Sequence, residues 1–182
     1  MQVACTKIPE VKTIDPLVFE DSRGFFFESF SEKKLAEQGI LGPWVQDNHS
    51  RSVRGALRGL HYQVQHTQGK LVRVAVGQIF DVAVDIRKDS ATFGQWVGEM
   101  LSAANHRIFW VPKGFAHGFL TLSDSAEVLY KTTDYYAPEH ERSILWNDPE
   151  IGIKWPLQGI VPQLSEKDRK GTRLSESVLL QA

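Results

Sequence analysis

Arg58 and His61 stand inside an apolar run, L-R-G-L-H-Y-Q from Leu57 to Gln63. Lys70 and Arg73 occur in Gly69-Lys70-Leu71-Val72-Arg73, and His117 interrupts F-A-H-G-F from Phe115 to Phe119. Such runs read as strands, where a buried charge without a partner is strongly unfavourable. Imidazole, guanidinium and ammonium groups in three of them point to a polar cavity lined by strands. A base and several cations facing one pocket suit proton transfer on an anionic substrate.

Each residue also has an ordinary structural role open to it. His61 alone on an apolar strand is commonly a packed, hydrogen-bonded core residue. Strict alternation puts His61 with Gly59 and Gln63 on one face and Arg58 on the other. Both reach one pocket only if the strand bends or bulges near Gly59. Lys70 and Arg73 fit a solvated strand face, yet Lys70 follows a glycine and can project inward at a rim. His117 reads equally as a core histidine capped by a carbonyl. Tyr130 shares its face with Val128 and Thr132, and strand tyrosines usually pack with a satisfied hydroxyl. Asp168 is either the third helical position of a capping box begun by Ser165, or a carboxylate that holds a histidine in one tautomer. Asp81 and Asp85, on one strand face, are further partners for a buried cation.

The elements that must position these groups are strands. Turn signals such as Ser22-Arg23-Gly24, Gly42-Pro43, Gly77-Gln78 and Pro112-Lys113-Gly114 separate short runs rich in Val, Ile, Phe, Tyr and Trp. That spacing predicts an all-β sandwich or barrel. In Phe80–Arg87, Val82, Val84 and Ile86 point one way while Asp81, Ala83, Asp85 and Arg87 point the other. With Leu71–Val76 before Gly77-Gln78, this run predicts a hairpin. Helices are few: a short one over 31–38, capped by Ser31 and ended by Gly39, and a second beginning at Ser165.

The 182 residues suffice for one domain with a real core, here spanning 1–182 with 171–182 expected as a loosely held tail. A net charge of −1 gives no global field favouring nucleic acid or an anionic membrane. No apolar run approaches a membrane span, and the N-terminus lacks the plan of a signal peptide. The lone Cys5 excludes an internal disulfide. A cytoplasmic setting is expected. Metal-binding strand barrels commonly offer His-x-His, but Gln63 stands where the second histidine would be, and no metal is expected. No glycine-rich phosphate loop exists, so a phosphate would be gripped by arginine and lysine side chains.

The chain resembles the dTDP-4-dehydrorhamnose 3,5-epimerases of bacterial rhamnose synthesis. The shared motifs are R-G-F-F-F-E-S (23–29), V-Q-D-N-H-S (45–50), L-R-G-L-H-Y-Q (57–63), Q-G-K-L-V-R (68–73) and F-D-V-A-V-D-I-R (80–87). F-G-Q-W (93–96), V-P-K-G-F-A-H-G-F (111–119), L-Y-K-T-T-D-Y-Y (129–136) and W-N-D-P (146–149) follow in family order.

This resemblance implies a cupin-like jelly-roll barrel acting on a dTDP-linked 4-keto-6-deoxy sugar. It implies His61 as base, oriented by Asp168, Tyr130 as the acid on the opposite face, and Lys70 as the stabiliser of the enolate oxygen. Arg23, Arg58 and Lys167 match positions near the diphosphate. Glu28, Gln46, Asn48, His117 and Glu141 match further substrate contacts. A homodimer with strand exchange near the N-terminus is implied as well. No redox cofactor is expected, because epimerisation leaves the carbon oxidation state unchanged. Rival readings are an epimerase of one carbon only, a metal-dependent cupin oxygenase, and a non-catalytic sugar-nucleotide binding module.

Overall fold

The computed structural model describes residues 1–180; Gln181 and Ala182 lie outside the described residues. The strands are β1 (Gln2–Cys5), β2 (Lys12–Asp15), β3 (Val18–Asp21), β4 (Gly24–Phe27), β5 (Gln46–Val53), β6 (Leu57–Gln63) and β7 (Lys70–Val76). They continue with β8 (Gln78–Asp85), β9 (Trp96–Ser102), β10 (Ile108–Val111), β11 (Phe115–Thr121), β12 (Ser125–Thr132) and β13 (Glu141–Ser143). Two short helices, α1 (Glu32–Ala36) and α2 (Glu166–Arg169), complete the regular elements used below. Antiparallel pairing builds a six-stranded sheet, β1-β2-β10-β7-β12-β5, and a five-stranded sheet, β13-β6-β11-β8-β9. This is the cupin-like jelly roll.

Alternation along each strand sends one apolar set between the sheets. Val72, Val74, Val128 and Phe109 meet Ile79, Ala83, Phe115 and Phe119 there. The outward set of the five-stranded sheet is also buried: Val82, Val84 and Ile86 pack with Ile144, Ile151, Trp155 and Leu174. The two faces expected for Phe80–Arg87 are therefore present, and both lie away from water. On the other sheet, Leu71, Ile108 and Trp110 are covered by Leu35 of α1 and by Ile40. Ser31 caps α1 by accepting from the Lys34 N–H, and Gly39 leaves it at φ +73°.

The expected β7–β8 hairpin does not form. β7 pairs with β10 and β12, whereas β8 pairs with β11 and β9. Gly77, at φ +76°, turns a corner between sheets, and a Cβ there would collide with the Ser125 carbonyl. The turn signal was sound, but a local sequence does not say which strand becomes the neighbour.

The bulge near Gly59 does form. Against β11, His117 stands opposite His61 while Phe119 stands opposite Arg58. Two steps on β11 thus span three on β6, so one residue of β6 goes unpaired. That slip turns Arg58 to the same side as His61. Gly59 holds φ +119°, and a Cβ on it would stand 2.5 Å from Gly118 Cα and 2.7 Å from the His117 carbonyl.

Residues beyond Ile160 run across the five-stranded sheet. Leu57 N–H donates to Gln163 O, and Leu174 N–H to Asp148 Oδ2. Tyr62 Oη donates to Val178 O, and Leu180 bridges to Arg87. The part of the expected tail that is described, 171–180, is thus laid down with backbone hydrogen bonds and a buried Leu174. Among the described residues no helix is long and apolar enough to cross a membrane. Gly59→Ala should destabilise the fold by about 2 kcal/mol or more through strain and collision, read as a lowered urea midpoint. The same change should separate Arg58 from His61 across the strand.

Candidate active site

A cavity of about 310 Å³ lies between the sheets. The five-stranded sheet contributes Arg58, His61 and His117; the six-stranded sheet contributes Gln46, Asn48, Lys70 and Tyr130. Register explains the grouping. Gln46, Thr132 and Lys70 form one cross-strand row, and Asn48, Tyr130 and Val72 the next. His61 and His117 are direct neighbours on the opposing wall. Glu141 of β13 and Lys167 of α2 close the rim.

Asp168 stands behind His61. Its Oδ1 lies 2.6 Å from His61 Nε2 and accepts from Gly59 N–H at 3.3 Å. Its Oδ2 accepts from Ser165 Oγ at 2.6 Å, while the Asp168 N–H donates back to that hydroxyl at 3.1 Å. Both readings of Asp168 therefore hold: the helix cap fixes the carboxylate that fixes the imidazole. Burial pushes the Asp168 carboxyl up, but hydrogen bonds from His61 and Ser165 outweigh it and hold it at about 2. Burial lowers His61 below its usual value, against the opposing pull of Asp168. The contact suits a tautomer with hydrogen on Nε2, which the Asp168 carboxylate accepts. Nδ1 has no hydrogen-bond partner among the described residues.

Lys70 makes no ion pair or hydrogen bond through Nζ among the described residues. Burial lowers its ammonium to about 8, although the Glu141 and Asp81 carboxylates oppose this. Burial raises the Tyr130 phenol, Arg58 opposing and Glu141 assisting, so it stays protonated near neutrality. Arg58 is anchored by Nε to Ser52 Oγ at 3.0 Å and Nη2 to Arg51 O at 3.3 Å. Glu141 is pushed up by burial, yet donors from Lys167 at 2.6 Å and Tyr136 at 2.8 Å bring it below its ordinary value.

His117 is neither carbonyl-capped nor simply packed: its Nε2 lies 2.6 Å from Asp81 Oδ1. Gln63 faces backbone rather than the cavity, donating to His66 O and Tyr135 O and accepting from Ala137 N–H. It therefore contributes nothing to a His-x-His ligand set.

Arg23 and Glu28 are not brought to the cavity by this chain. Arg23 pairs with Asp21 at 2.6 Å on the β3–β4 hairpin, and Glu28 pairs with Lys34 at 2.8 Å. That hairpin pairs only with itself and exposes Phe19, Phe25 and Phe26, the last at 71%. Conversely, Tyr136 lines the rim, half exposed, with its amide donating to Gln46 Oε1. Its motif was legible, but a second tyrosine in Tyr135-Tyr136 gave no sign of which one faces inward. Gln68 also lines the cavity, fixed by Nε2 to Asp134 O.

The family model described as dTDP-4-dehydrorhamnose 3,5-epimerase matches residues 5–176. The enzyme of that name from Pseudomonas aeruginosa is 59% identical over 178 residues, covering 97% of this chain and 98% of its own. The crystal structure of a dTDP-6-deoxy-D-glucose-3,5-epimerase from Legionella pneumophila, in complex with dTDP-4-keto-L-rhamnose, superposes with a TM-score of 0.97 at 54% identity, covering 100% of this chain and 98% of that one. A 3′-monoepimerase from Streptomyces bikiniensis in complex with dTDP-quinovose gives 0.92 at 32% identity, covering 97% and 92%. This chain belongs to the dTDP-4-dehydrorhamnose 3,5-epimerase family and is an isomerase.

Proposed function

We propose that the cavity inverts C3 and C5 of dTDP-4-dehydro-6-deoxy-D-glucose, giving dTDP-4-dehydro-L-rhamnose, with His61 as base and Tyr130 as acid. The observation that carries this reading is the His61 imidazole, held by Asp168 at 2.6 Å, sharing one cavity with the Tyr130 phenol of the other sheet. His61 Nδ1 takes the proton at C3 or C5, and the C–H electron pair passes into the carbonyl, leaving negative charge on the C4 oxygen. Tyr130 returns a proton to the opposite face of the same carbon, and proton exchange with solvent resets both groups. An α-proton is far too weak an acid for imidazole alone, so the developing oxyanion needs a preorganised cation. Lys70 suits that role because its Nζ makes no ion pair or hydrogen bond among the described residues. General base catalysis adds about 10²–10⁴-fold.

Arg58 and Lys167 supply cations for the diphosphate, and the half-exposed ring of Tyr136 offers a flat face to a nucleobase. The fold does not separate double from single epimerisation, since a monoepimerase shares it. The higher identity to 3,5-epimerases, with the family model, favours two inversions.

The same reading includes a homodimer. The β3–β4 arm, with exposed Phe19 and Phe26, is suited to carry Arg23 and Glu28 into the cavity of a second copy. A cytoplasmic location goes with it: the substrate is a nucleotide sugar, and Cys5 is free and exposed.

Three measurements test this. In D2O, His61→Asn should abolish deuterium uptake at C3 and C5 while keeping the wild-type melting temperature. Tyr130→Phe should retain exchange but lose inversion, and wild-type inversion by that variant would refute the acid assignment. The pH profile of kcat/KM should be bell-shaped. Activity appears as His61 loses its proton, below the ordinary imidazole range, and is lost as Lys70 loses its own at about 8. Lys70→Arg should move the alkaline limb upward. Finally, Arg23→Ala and His61→Asn, each impaired alone, should regain activity when refolded together, because a mixed dimer holds one intact cavity; no recovery refutes arm exchange.

A further inference from the structure

Two histidine–aspartate pairs stand side by side in the cavity wall. His61 and His117 are opposed in register, and each sets Nε2 at 2.6 Å from a carboxylate oxygen. We propose that the second pair carries the opposite proton load to the first. His117 then presents Nδ1–H to the C4 oxygen beside Lys70, and Asp81 is the positioning residue that keeps it so. This rests on the epimerase reading of the cavity.

The difference lies in the two carboxylates. Asp168 accepts from His61, Gly59 N–H and Ser165 Oγ. Donors on both oxygens stabilise a full anion, so that pair needs only the proton on Nε2, and Nδ1 keeps its lone pair. Asp81 is 0% exposed, and its Oδ2 accepts no hydrogen bond from the described residues. A buried carboxylate with only one hydrogen-bond donor is costly as an anion. A second proton makes the pair neutral overall. Whether drawn as acid and imidazole or as carboxylate and imidazolium, His117 then bears hydrogen on Nδ1. That nitrogen has no partner among the described residues, and His117 lines the cavity. C4 lies between the two carbons that His61 serves, so the cross-strand neighbour of His61 faces the ketone. Enolate charge is thereby shared between an ammonium on one sheet and an imidazole on the other. His117 donates a hydrogen bond and transfers no proton.

The same substitution should act oppositely on the two pairs. An asparagine amide can donate to Nε2, which forces hydrogen onto Nδ1. Asp168→Asn therefore removes the lone pair and should lower kcat by about 10³–10⁴-fold, whereas Asp81→Asn should cost less than about tenfold. His117→Phe should lower kcat by about 10²-fold, the effect of one lost oxyanion donor, with little change in KM. Equal damage from the two asparagine variants, or an unaffected kcat in His117→Phe, overturns the inference. A second readout does not depend on activity or on variants folding. Imidazole 15N spectra of the histidine-labelled wild-type protein at neutral pH should show Nδ1 protonated in His117 and bare in His61; a bare Nδ1 in His117 overturns it. Absence of C3 and C5 exchange in the wild-type protein would overturn the epimerase reading and the C4 role together. Normal wild-type exchange with a bare His117 Nδ1 would overturn this inference alone.

Discussion

The bond between His61 Nε2 and Asp168 Oδ1 joins β6 to a helix more than a hundred residues later. Everything chemical in the cavity depends on it. A buried imidazole with the Lys167 and Lys70 ammonium groups nearby loses its proton readily, but a freely rotating neutral ring points its lone pair nowhere in particular. The carboxylate removes that freedom by taking Nε2–H, and the proton acceptor is left facing the sugar. The carboxylate is held in turn by Ser165 Oγ and by the amide of Gly59. Base geometry therefore depends on the bulge and on the C-terminal segment at once. This is why 161–180 is docked with hydrogen bonds rather than left to solvent: it delivers Asp168 and Lys167 from one turn of helix.

Such a site works against stability. Charged and polar groups between two sheets displace apolar area, and buried groups short of partners remain, Asp81 Oδ2 and Thr121 Oγ1 among them. Compensation comes from a core on three levels. Besides the apolar packing between the sheets, each sheet has its outer face covered, one by α1 and the other by residues beyond Ile144. The polar rows are confined to part of the inner face, where Lys70 and Thr132 give way along β7 and β12 to Val72, Val74 and Val128. Strain at Gly59 fits the same account, since a non-glycine strand there would turn Arg58 outward and divide the site.

Much of this was legible from residue types alone. The alternation in Phe80–Arg87 placed Asp81 and Ala83 on one face, and Gly59 was the one residue in its strand that permits the slip uniting Arg58 with His61. The motifs named His61, Lys70, Tyr130 and His117, and the structure brings these four to one cavity because each sits at an inward position of its strand. Three things were hidden for physical reasons. Gly77 signals a turn, but whether strands meet across it depends on partners distant in sequence. Arg23 and Glu28 lie on a segment that this chain holds away from the cavity, paired with Asp21 and Lys34 instead. Asp81 looks like any strand carboxylate until the His117 ring and the bare Oδ2 are seen together.

Inversion at carbon demands that removal and delivery occur on opposite faces, and two facing sheets meet that demand directly. His61 is fixed to one wall and Tyr130 to the other, so neither can migrate to the other's side. Double epimerisation adds a second demand. On the proposed assignment of His61 as base and Tyr130 as acid, C3 and C5 must be presented in turn to the same imidazole, with the diphosphate at C1 as the anchor. The ring, not the protein, must then move, by pivoting or by changing pucker about the C1 anchor. On the proposed roles of Lys70 and His117, charge-stabilising groups on both sheets would tolerate such movement by keeping a cation or donor near the C4 oxygen throughout. A relative that inverts one carbon can share every catalytic group and differ only in whether the ring is free to turn. On this reading, the two activities would differ in the space around the sugar rather than in the His61–Asp168 pair.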